Sequence, residues 1–306
     1  MKRSSSEVFI EALIRLSALT AIVSLFLIFV FIGKEALPIL TSAEVQKEAS
    51  LSKIFLVQET GRYSWQPISS VPKYSIYPLF VGTLKLTAVA ILFAIPLALG
   101  AALFTSEFSP DWLKEFIKPA IEILAGIPSV VLGFFALMVM ASYVQSLLGI
   151  VYRLNSINAG IALGLSVIPI VYTVADDALT AVPRSYREAS IAMGASPWQT
   201  ASRIVFPAAL PGILAACVLG FGRAIGETMI ILMASGNAPI LSWALEKPAR
   251  SLSATVAAEL GEVVVGSPHY HVLFFIGVCL FIFTFVLNLF AHWFVTRLQK
   301  KVLGTS

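Results

Sequence analysis

Six long apolar segments, separated by polar loops, dominate the pattern of hydrophobic and polar positions along the chain. Each segment is continuous rather than alternating, and each approaches or exceeds the roughly 20 residues that a helix needs to cross about 30 Å of hydrocarbon. Continuous runs favour membrane-spanning helices over barrel strands, in which apolar and polar residues alternate. The segments cover residues 12–33, 79–104, 119–142, 157–175, 209–235 and 272–295. We therefore predict an all-α integral membrane protein with six transmembrane helices.

The composition supports this prediction. Of the 306 residues, 58% are hydrophobic and only 12% are charged, which leaves too little polar surface to cover a soluble core of this size. The N-terminus has the basic flank of a secretory signal, but its apolar stretch is too long and no small-residue cleavage site follows it. We therefore expect an uncleaved first helix. Cys217 and Cys279 both fall within predicted helices and support neither a disulfide framework nor a zinc site.

The basic residues indicate how the chain is oriented. In a soluble protein a net charge of +4 would suggest nucleic acid as a partner, but here lysine and arginine lie mostly at helix ends, so we expect no nucleic-acid binding. An even number of helices puts both termini on one side, and the segments on that side hold more lysine and arginine than the opposite loops. This bias predicts a multi-pass protein of the cell membrane with both termini cytoplasmic.

We divide the chain into an N-terminal membrane anchor helix with a long outer loop, residues 1–78, and a transmembrane domain, residues 79–306. One cytoplasmic loop of that domain, residues 176–207, reads DDALTAVPRSYREASIAMGASPWQTASRIVFP. Pro183 suits the first turn of a short helix, Gly194 is placed to end it, and Ser196 caps a second helix that has Pro197 at its first position. The residues alone also allow an ordinary amphipathic loop at the membrane surface.

Two charged residues interrupt the fifth apolar segment, in the sequence GRAIGET at 222–228. Arg223 and Glu227 are four residues apart, so on a helix they share one face and can pair. Burying each in lipid costs about 2.5–3.5 kcal/mol, so both must face protein or water. One interpretation is an internal salt bridge that fixes helix packing. The other is that Arg223 is a transient ligand for an oxyanion, for which its planar fork is suited, and that Glu227 holds it when the anion is absent.

Other polar residues are weaker candidates for a site. Lys85 lies near the outer end of the second helix, where it either extends to the interface or helps to guide anions. Glu259 and Glu262 lie in an outer loop, where they either position the loop against a partner or are solvated. His269 and His271 are two apart and diverge, and no third ligand is evident, so we predict no metal site.

The cytoplasmic loop resembles a signature of ABC importer permeases, which reads EAA, three residues, G, nine residues, then I-x-L-P. The matching positions are Glu188, Ala189, Ser190, Gly194, Ile204 and Pro207, with Ser190 for the third alanine and Phe206 for the leucine. The resemblance implies that this loop is a coupling helix that docks on a separate ATPase subunit. The chain itself has no G-x-x-x-x-G-K-[ST] for binding ATP phosphates, so ATP and Mg²⁺ are expected on the ATPase and no cofactor on this chain.

From about Trp65 to the C-terminus the chain resembles the phosphate-specific ABC importer permeases, the PstC type more than PstA. The matching sequences are LFVGTLKLT at 79–87, IEILAGIPSVVLGFFAL at 121–137, GRAIGETMIILMASGNAP at 222–239 and SATVAAELGEVVVGS at 253–267. The resemblance implies a MetI-like permease fold and a non-enzymatic subunit that transports inorganic phosphate by alternating access. Its partners would be a second permease, an ATPase dimer and an extracytoplasmic phosphate-binding protein. Arg223 and Glu227 would line the pathway.

Two other functions stay open. The same architecture with another cargo, such as molybdate, tungstate or sulfate, agrees equally well with the coupling loop and with a single arginine. A transporter driven by an ion gradient would work without an ATPase, but such proteins often contain internal repeats, and none is evident in this sequence.

Overall fold

Helices account for almost all of the regular structure. The computed structural model describes residues 5–56 and 63–303. Within these ranges, six helical stretches are long and apolar enough to cross a membrane, so the predicted number of spans is confirmed. They are Phe9–Thr41, Tyr77–Glu107, Ser129–Leu148, Ser156–Thr180, Pro197–Gly226 and Pro268–Arg297. The chain ends, 1–4 and 304–306, for which a cytoplasmic location is predicted, lie outside the described residues.

The helices and strands follow one another in a simple order. The first part of the chain contains α1 (Ser5–Ala36), α2 (Pro38–Thr41), α3 (Ala43–Glu48), α4 (Leu51–Phe55), β1 (Trp65–Gln66) and β2 (Lys73–Tyr74). The middle contains α5 (Tyr77–Glu107), α6 (Asp111–Gly126), α7 (Ser129–Phe135), α8 (Ala141–Leu148), α9 (Ser156–Thr180), α10 (Arg184–Ala192) and α11 (Pro197–Thr200). The last part contains α12 (Phe206–Gly226), α13 (Met229–Ala234), α14 (Leu252–Glu259) and α15 (Pro268–Leu303). Short π-helical turns, Ala136–Met140 and Ala201–Val205, join α7 to α8 and α11 to α12. The strands β1 and β2 pair antiparallel.

Two of the predicted spans begin about ten residues away from their predicted starts. The third was expected over 119–142, but α6 ends at Gly126 and the span begins at Ser129. The reason is Pro128, because a proline disfavours helical backbone at the preceding residue, and Ile127 is extended. The fifth was expected over 209–235, but it begins earlier, at Pro197, and ends at Gly226.

Small residues allow the central helices to pack closely. Along α5, buried alanines recur every four residues and face α9, with which α5 forms the most extensive helix pair. On α9, a Cβ at Gly160 would lie 2.4 Å from Val89 Cγ1, so only glycine permits this approach. A Cβ at Gly220 of α12 would likewise lie 2.5 Å from Val171 Cγ2. Helices α5, α9 and α12 therefore form a tightly packed unit, as is common where small residues meet in membranes.

The segment between α1 and α5, called the outer segment here, contributes to a second hydrophobic cluster, separate from the one that joins α5, α9 and α12. Ile39 and Ile54 from its short helices, and Trp65 and Tyr74 from its two strands, are buried. They pack with apolar residues of α14 and of the first turns of α15. Within this segment, the sequence TSAEVQKEASLSK forms the short helix α3 and the start of α4. The division of the chain at residue 78 stays a prediction.

Candidate functional site

The side chain of Arg223 lies in a groove at the level of the membrane-spanning helices. Arg223 is in the last turn of α12, and its side chain is exposed. Its Nε donates a long hydrogen bond, 3.4 Å, to the backbone oxygen of Ser166 on α9. A cavity of about 660 Å³ is lined by Arg223 and its neighbours on α12 and by residues of α15. An exposed guanidinium in a membrane span must face protein or water, so we expect this groove to be covered by protein or filled with water rather than lipid.

Glu227 does not share a helix face with Arg223, so the predicted pairing is wrong. The helix α12 ends at Gly226, and Glu227 has extended backbone, with φ −68° and ψ 135°. Both residues are described, and no ion pair joins them. The helix ends at Gly226 because glycine is a poor helix former. The backbone groups that lose their helical partners at this break find hydrogen bonds nearby. The Glu227 carboxylate accepts from the Thr228 amide at 3.2 Å, and the Glu227 carbonyl accepts from the Ser253 hydroxyl at 2.9 Å.

Lys85 is buried rather than extended to the membrane interface. Only 2% of the residue is exposed, and its Nζ donates to the backbone oxygens of Ser242 and Ala244, each at 3.0 Å. These carbonyls belong to the outer loop between α13 and α14, so Lys85 holds that loop against α5. The ammonium does not line the groove that contains Arg223. Its role in guiding anions stays a prediction.

The cytoplasmic loop has the helix, turn and second helix expected from its sequence. The helix α10 begins directly after Pro183. Gly194 follows it with φ +83°, a left-handed conformation that other residues adopt only with strain. Ser196 forms a reciprocal capping box with Gln199 at the start of α11, and Pro197 occupies the first helical position.

The six signature residues of this loop lie on α10, on the turn that follows it and in the first half of the fifth span, Pro197–Gly226. Glu188, Ala189, Gly194 and Ile204 are exposed, whereas Ser190 and Pro207 are half-buried. The Ser190 and Thr200 hydroxyls share a hydrogen bond of 2.9 Å that fixes α10 against α11. Large apolar side chains are also exposed around the turn, namely Tyr186, Ile191, Met193 and Trp198. Docking of an ATPase on this surface stays a prediction.

An ion pair that the sequence did not reveal connects the loop to the membrane helices. The Arg187 guanidinium donates to the Glu107 carboxylate from Nε at 3.0 Å and from a terminal nitrogen at 2.6 Å. It also donates to the backbone oxygens of Val182 at 2.6 Å and Leu179 at 2.9 Å. Since Glu107 ends α5 and Leu179 lies in the last turn of α9, one side chain connects α10 to both helices.

A second polar cluster missed by sequence reasoning joins the outer segment to α14 and α15. The Glu259 carboxylate accepts from Trp65 Nε1 at 3.1 Å, pairs with His269 Nε2 at 3.2 Å, and binds Arg250. Burial alone would raise the pKa of Glu259, but the hydrogen bonds from His269 and Trp65 and the charge of Arg250 outweigh it and lower the pKa. Glu259 is therefore neither free nor solvated, and it ties the outer segment to α14 and α15. Among the described residues, no group of three or more metal-ligating side chains exists.

Comparisons with known proteins agree over most of the chain. A family model described as "Binding-protein-dependent transport system inner membrane component" matches residues 94–304. The probable ABC transporter permease protein YqgH of Bacillus subtilis is 32% identical over 234 residues, which cover 76% of this chain and 76% of that protein. The phosphate transport system permease protein PstC of Mesorhizobium japonicum is 30% identical over 294 residues, which cover 90% of this chain and 88% of that protein.

A solved structure supports the same architecture. The crystal structure of a bacterial ABC transporter involved in the import of the acidic polysaccharide alginate matches with a TM-score of 0.65. The match covers 95% of this chain and 98% of that chain at 17% sequence identity, so the likeness concerns the fold alone.

Proposed function

Because this chain belongs to the family of binding-protein-dependent transport system inner membrane components, we propose that it is the permease subunit of an ATP-driven ABC importer of inorganic phosphate. The predicted MetI-like permease fold and the resemblance to PstC permeases are confirmed. The chain is thus a multi-pass membrane protein of a family of transport subunits. The phosphate cargo, the partner subunits and the cytoplasmic location of both termini are parts of the proposal.

The observation that carries the proposal is the unpaired guanidinium of Arg223 in a groove along two membrane-spanning helices. No carboxylate neutralises it among the described residues, and its terminal nitrogens are free to donate in parallel to two oxygens of a tetrahedral anion. A single arginine binds phosphate weakly, which suits a pathway from which the anion must be released. The carboxylate of Glu227 accepts a hydrogen bond from the Thr228 amide and does not pair with Arg223.

The cytoplasmic loop supports an external source of energy. Its exposed apolar side chains and the exposed Glu188 form a surface that a separate ATPase subunit would cover. In the proposed cycle, a loaded phosphate-binding protein docks outside, and ATP with Mg²⁺ closes the ATPase dimer. The loops of this chain and of a second permease then rock the two permeases open toward the docked protein. Hydrolysis of ATP restores the inward-facing state.

The proposal is tested by ATP-dependent uptake of labelled phosphate into vesicles that contain this chain with a second permease, the ATPase and the binding protein. Excess molybdate, tungstate or sulfate is added separately as a competitor. Uptake that needs ATP and resists all three competitors is expected. Entry of a competitor in place of phosphate would change the cargo but keep the mechanism, whereas transport without the ATPase would favour an ion-gradient mechanism.

The role of Arg223 is tested by Arg223→Gln and Arg223→Lys in the same vesicles. Arg223→Gln should abolish uptake, whereas Arg223→Lys, which keeps the charge but loses the planar fork, should retain part of it. Co-purification of the ATPase with each variant controls for assembly. Normal uptake by an assembled Arg223→Gln transporter would exclude a direct role in anion binding.

A further inference from the structure

The groove that contains Arg223 continues along the seam between α12 and α15. The cavity of about 660 Å³ around Arg223 shares Gly226, Gly277 and Leu280 with a second cavity of about 560 Å³. The second cavity reaches the helix break at Thr228 and the hydroxyl-bearing Ser253 of α14. Together they form one groove that is open along its side, with Arg223 in the part where α12 faces the middle of α15.

The groove is also lined by Asn288, a polar residue of α15. The sequence alone did not mark this residue as a candidate. Its side chain is exposed, although it lies within a membrane-spanning helix among apolar neighbours. It makes no hydrogen bond to any residue that the structure describes. An amide in such a position is expected to face protein or a water-filled cavity, since lipid cannot satisfy it.

The structure places the Asn288 amide beside the turn of α12 that bears Arg223. A Cβ built on Gly222 would lie 3.8 Å from Asn288 Oδ1, so the amide is in contact distance of the residue directly before Arg223. Thr284, one turn earlier on α15, also lines the groove, but its hydroxyl already donates to the Phe281 carbonyl at 2.9 Å. Among the described residues of α15 that line this cavity, Asn288 is therefore the polar group without a hydrogen bond, and it shares the cavity with Arg223.

We propose that Asn288 is a second ligand of the transported oxyanion, and that its amide donates a hydrogen bond to the anion held by Arg223. This inference rests on the proposed function. The guanidinium supplies the charge and two parallel donors, and the amide supplies a neutral donor from the opposite helix. A ligand bridging α12 and α15 would also respond to relative movement of these helices. A neutral amide serves this purpose because it adds direction to the site without adding a charge that would hold the anion too tightly.

The test compares Asn288→Asp and Asn288→Leu in vesicles that contain the complete transporter. Aspartate has nearly the shape of asparagine but repels an oxyanion, and leucine has a similar size without a hydrogen-bond donor. We expect the apparent KM for labelled phosphate to rise at least about fivefold in Asn288→Leu, and uptake to fall further in Asn288→Asp. Co-purification of the ATPase with each variant should stay at the level of the unsubstituted protein, which controls for assembly.

A control on the same helix is Thr296→Val, which removes a hydroxyl that donates to the His292 carbonyl at 2.8 Å and lies outside the groove. Its KM should be unchanged. If the KM of Asn288→Leu lies within twofold of the KM of the unsubstituted protein, the proposal is overturned. This result is decisive even if Asn288→Asp fails to assemble. If Arg223→Gln stops uptake while the Asn288 variants import normally, only this inference fails. If Arg223→Gln imports normally, the proposed site itself is wrong.

Discussion

The ion pair between Glu107 and Arg187 should make a measurable contribution to the stability of the chain. The pair is largely buried, with 8% of the Glu107 side chain and 22% of the Arg187 side chain exposed. The guanidinium donates to both carboxylate oxygens, and it also donates to two backbone oxygens at and just after the C-terminal end of α9. We test it with Glu107→Gln, Arg187→Gln and the double variant.

The expected magnitudes follow from what each substitution leaves behind. Removing one partner of a fully buried pair costs about 3–5 kcal/mol, and the partial exposure of Arg187 reduces this. Arg187→Gln leaves the Glu107 carboxylate buried without its cation, so we expect a loss of about 2–3 kcal/mol in the free energy of unfolding. Glu107→Gln should cost less, about 1–2 kcal/mol, because the guanidinium keeps its two carbonyl acceptors. The loss of unfolding free energy in the double variant should then be about 1–2 kcal/mol smaller than the sum of the two single losses.

The assay is denaturant unfolding of the purified full-length permease in detergent, followed by tryptophan fluorescence. A matched control uses the exposed pair of Asp111 and Lys114 on α6, with 3.9 Å between carboxylate oxygen and ammonium nitrogen, where Asp111 is 99% exposed. Replacing these residues singly and together should give a coupling energy below about 0.5 kcal/mol. If the Glu107 and Arg187 effects add to within about 0.5 kcal/mol, the two side chains do not act as a pair, and the reasoning fails.

Three further predictions concern backbone packing, the cytoplasmic turn and the outer cluster. Gly82→Ala would put a Cβ 2.1 Å from the backbone oxygen of Arg250 and should lower the free energy of unfolding by at least about 2 kcal/mol. Gly100→Ala is the control, because nothing lies within 4 Å of its Cβ, and it should raise the free energy of unfolding by up to about 1 kcal/mol. Denaturant unfolding in detergent measures both. Gly194→Val should lower the amount of phosphate imported per ATP hydrolysed, because valine adopts the positive φ of this turn only with strain. Gly194→Asn should leave this ratio unchanged, because asparagine tolerates a positive φ. The same ratio in both variants would contradict the prediction. The lowered pKa of Glu259 means that its stabilising contribution is complete above pH 4.5 and is lost as the pH falls through that lowered pKa. Proteolysis of the outer segment should therefore accelerate in acid in the unsubstituted protein, and Glu259→Gln should remove this dependence.

Local sequence signals predicted those parts of the structure that depend on neighbouring residues. The apolar runs gave the number of spans, because lipid requires long apolar helices whatever their packing. The turn at Gly194 and the cap at Ser196 were predictable because each acts on residues within one helical turn. The start of the third span was not predictable, because α6 is an amphipathic helix whose apolar residues are followed directly in sequence by the apolar residues of the span.

Pairs that are distant in sequence were not predictable from one chain. Glu107 and Arg187 are 80 residues apart, and Trp65 and Glu259 are 194 residues apart. Each charged residue was visible in the sequence, but its partner depends on which helices pack, and no local pattern contains that information. The same reason explains why Asn288 was overlooked, since only the packing of α15 against α12 brings it near Gly222.

The break after Gly226 shows how a distant residue changes the meaning of a local motif. A helix continued through GRAIGET would place Glu227 one turn from Arg223, and the two charges would neutralise each other. The Ser253 hydroxyl, provided by α14, instead satisfies the Glu227 carbonyl, and the Glu227 carboxylate satisfies the Thr228 amide. The glutamate is thereby used to stabilise the break, and the positive charge of Arg223 has no carboxylate partner among the described residues. A positive charge left unpaired in a membrane groove is most readily compensated by an anion, which is what the transport of an oxyanion requires.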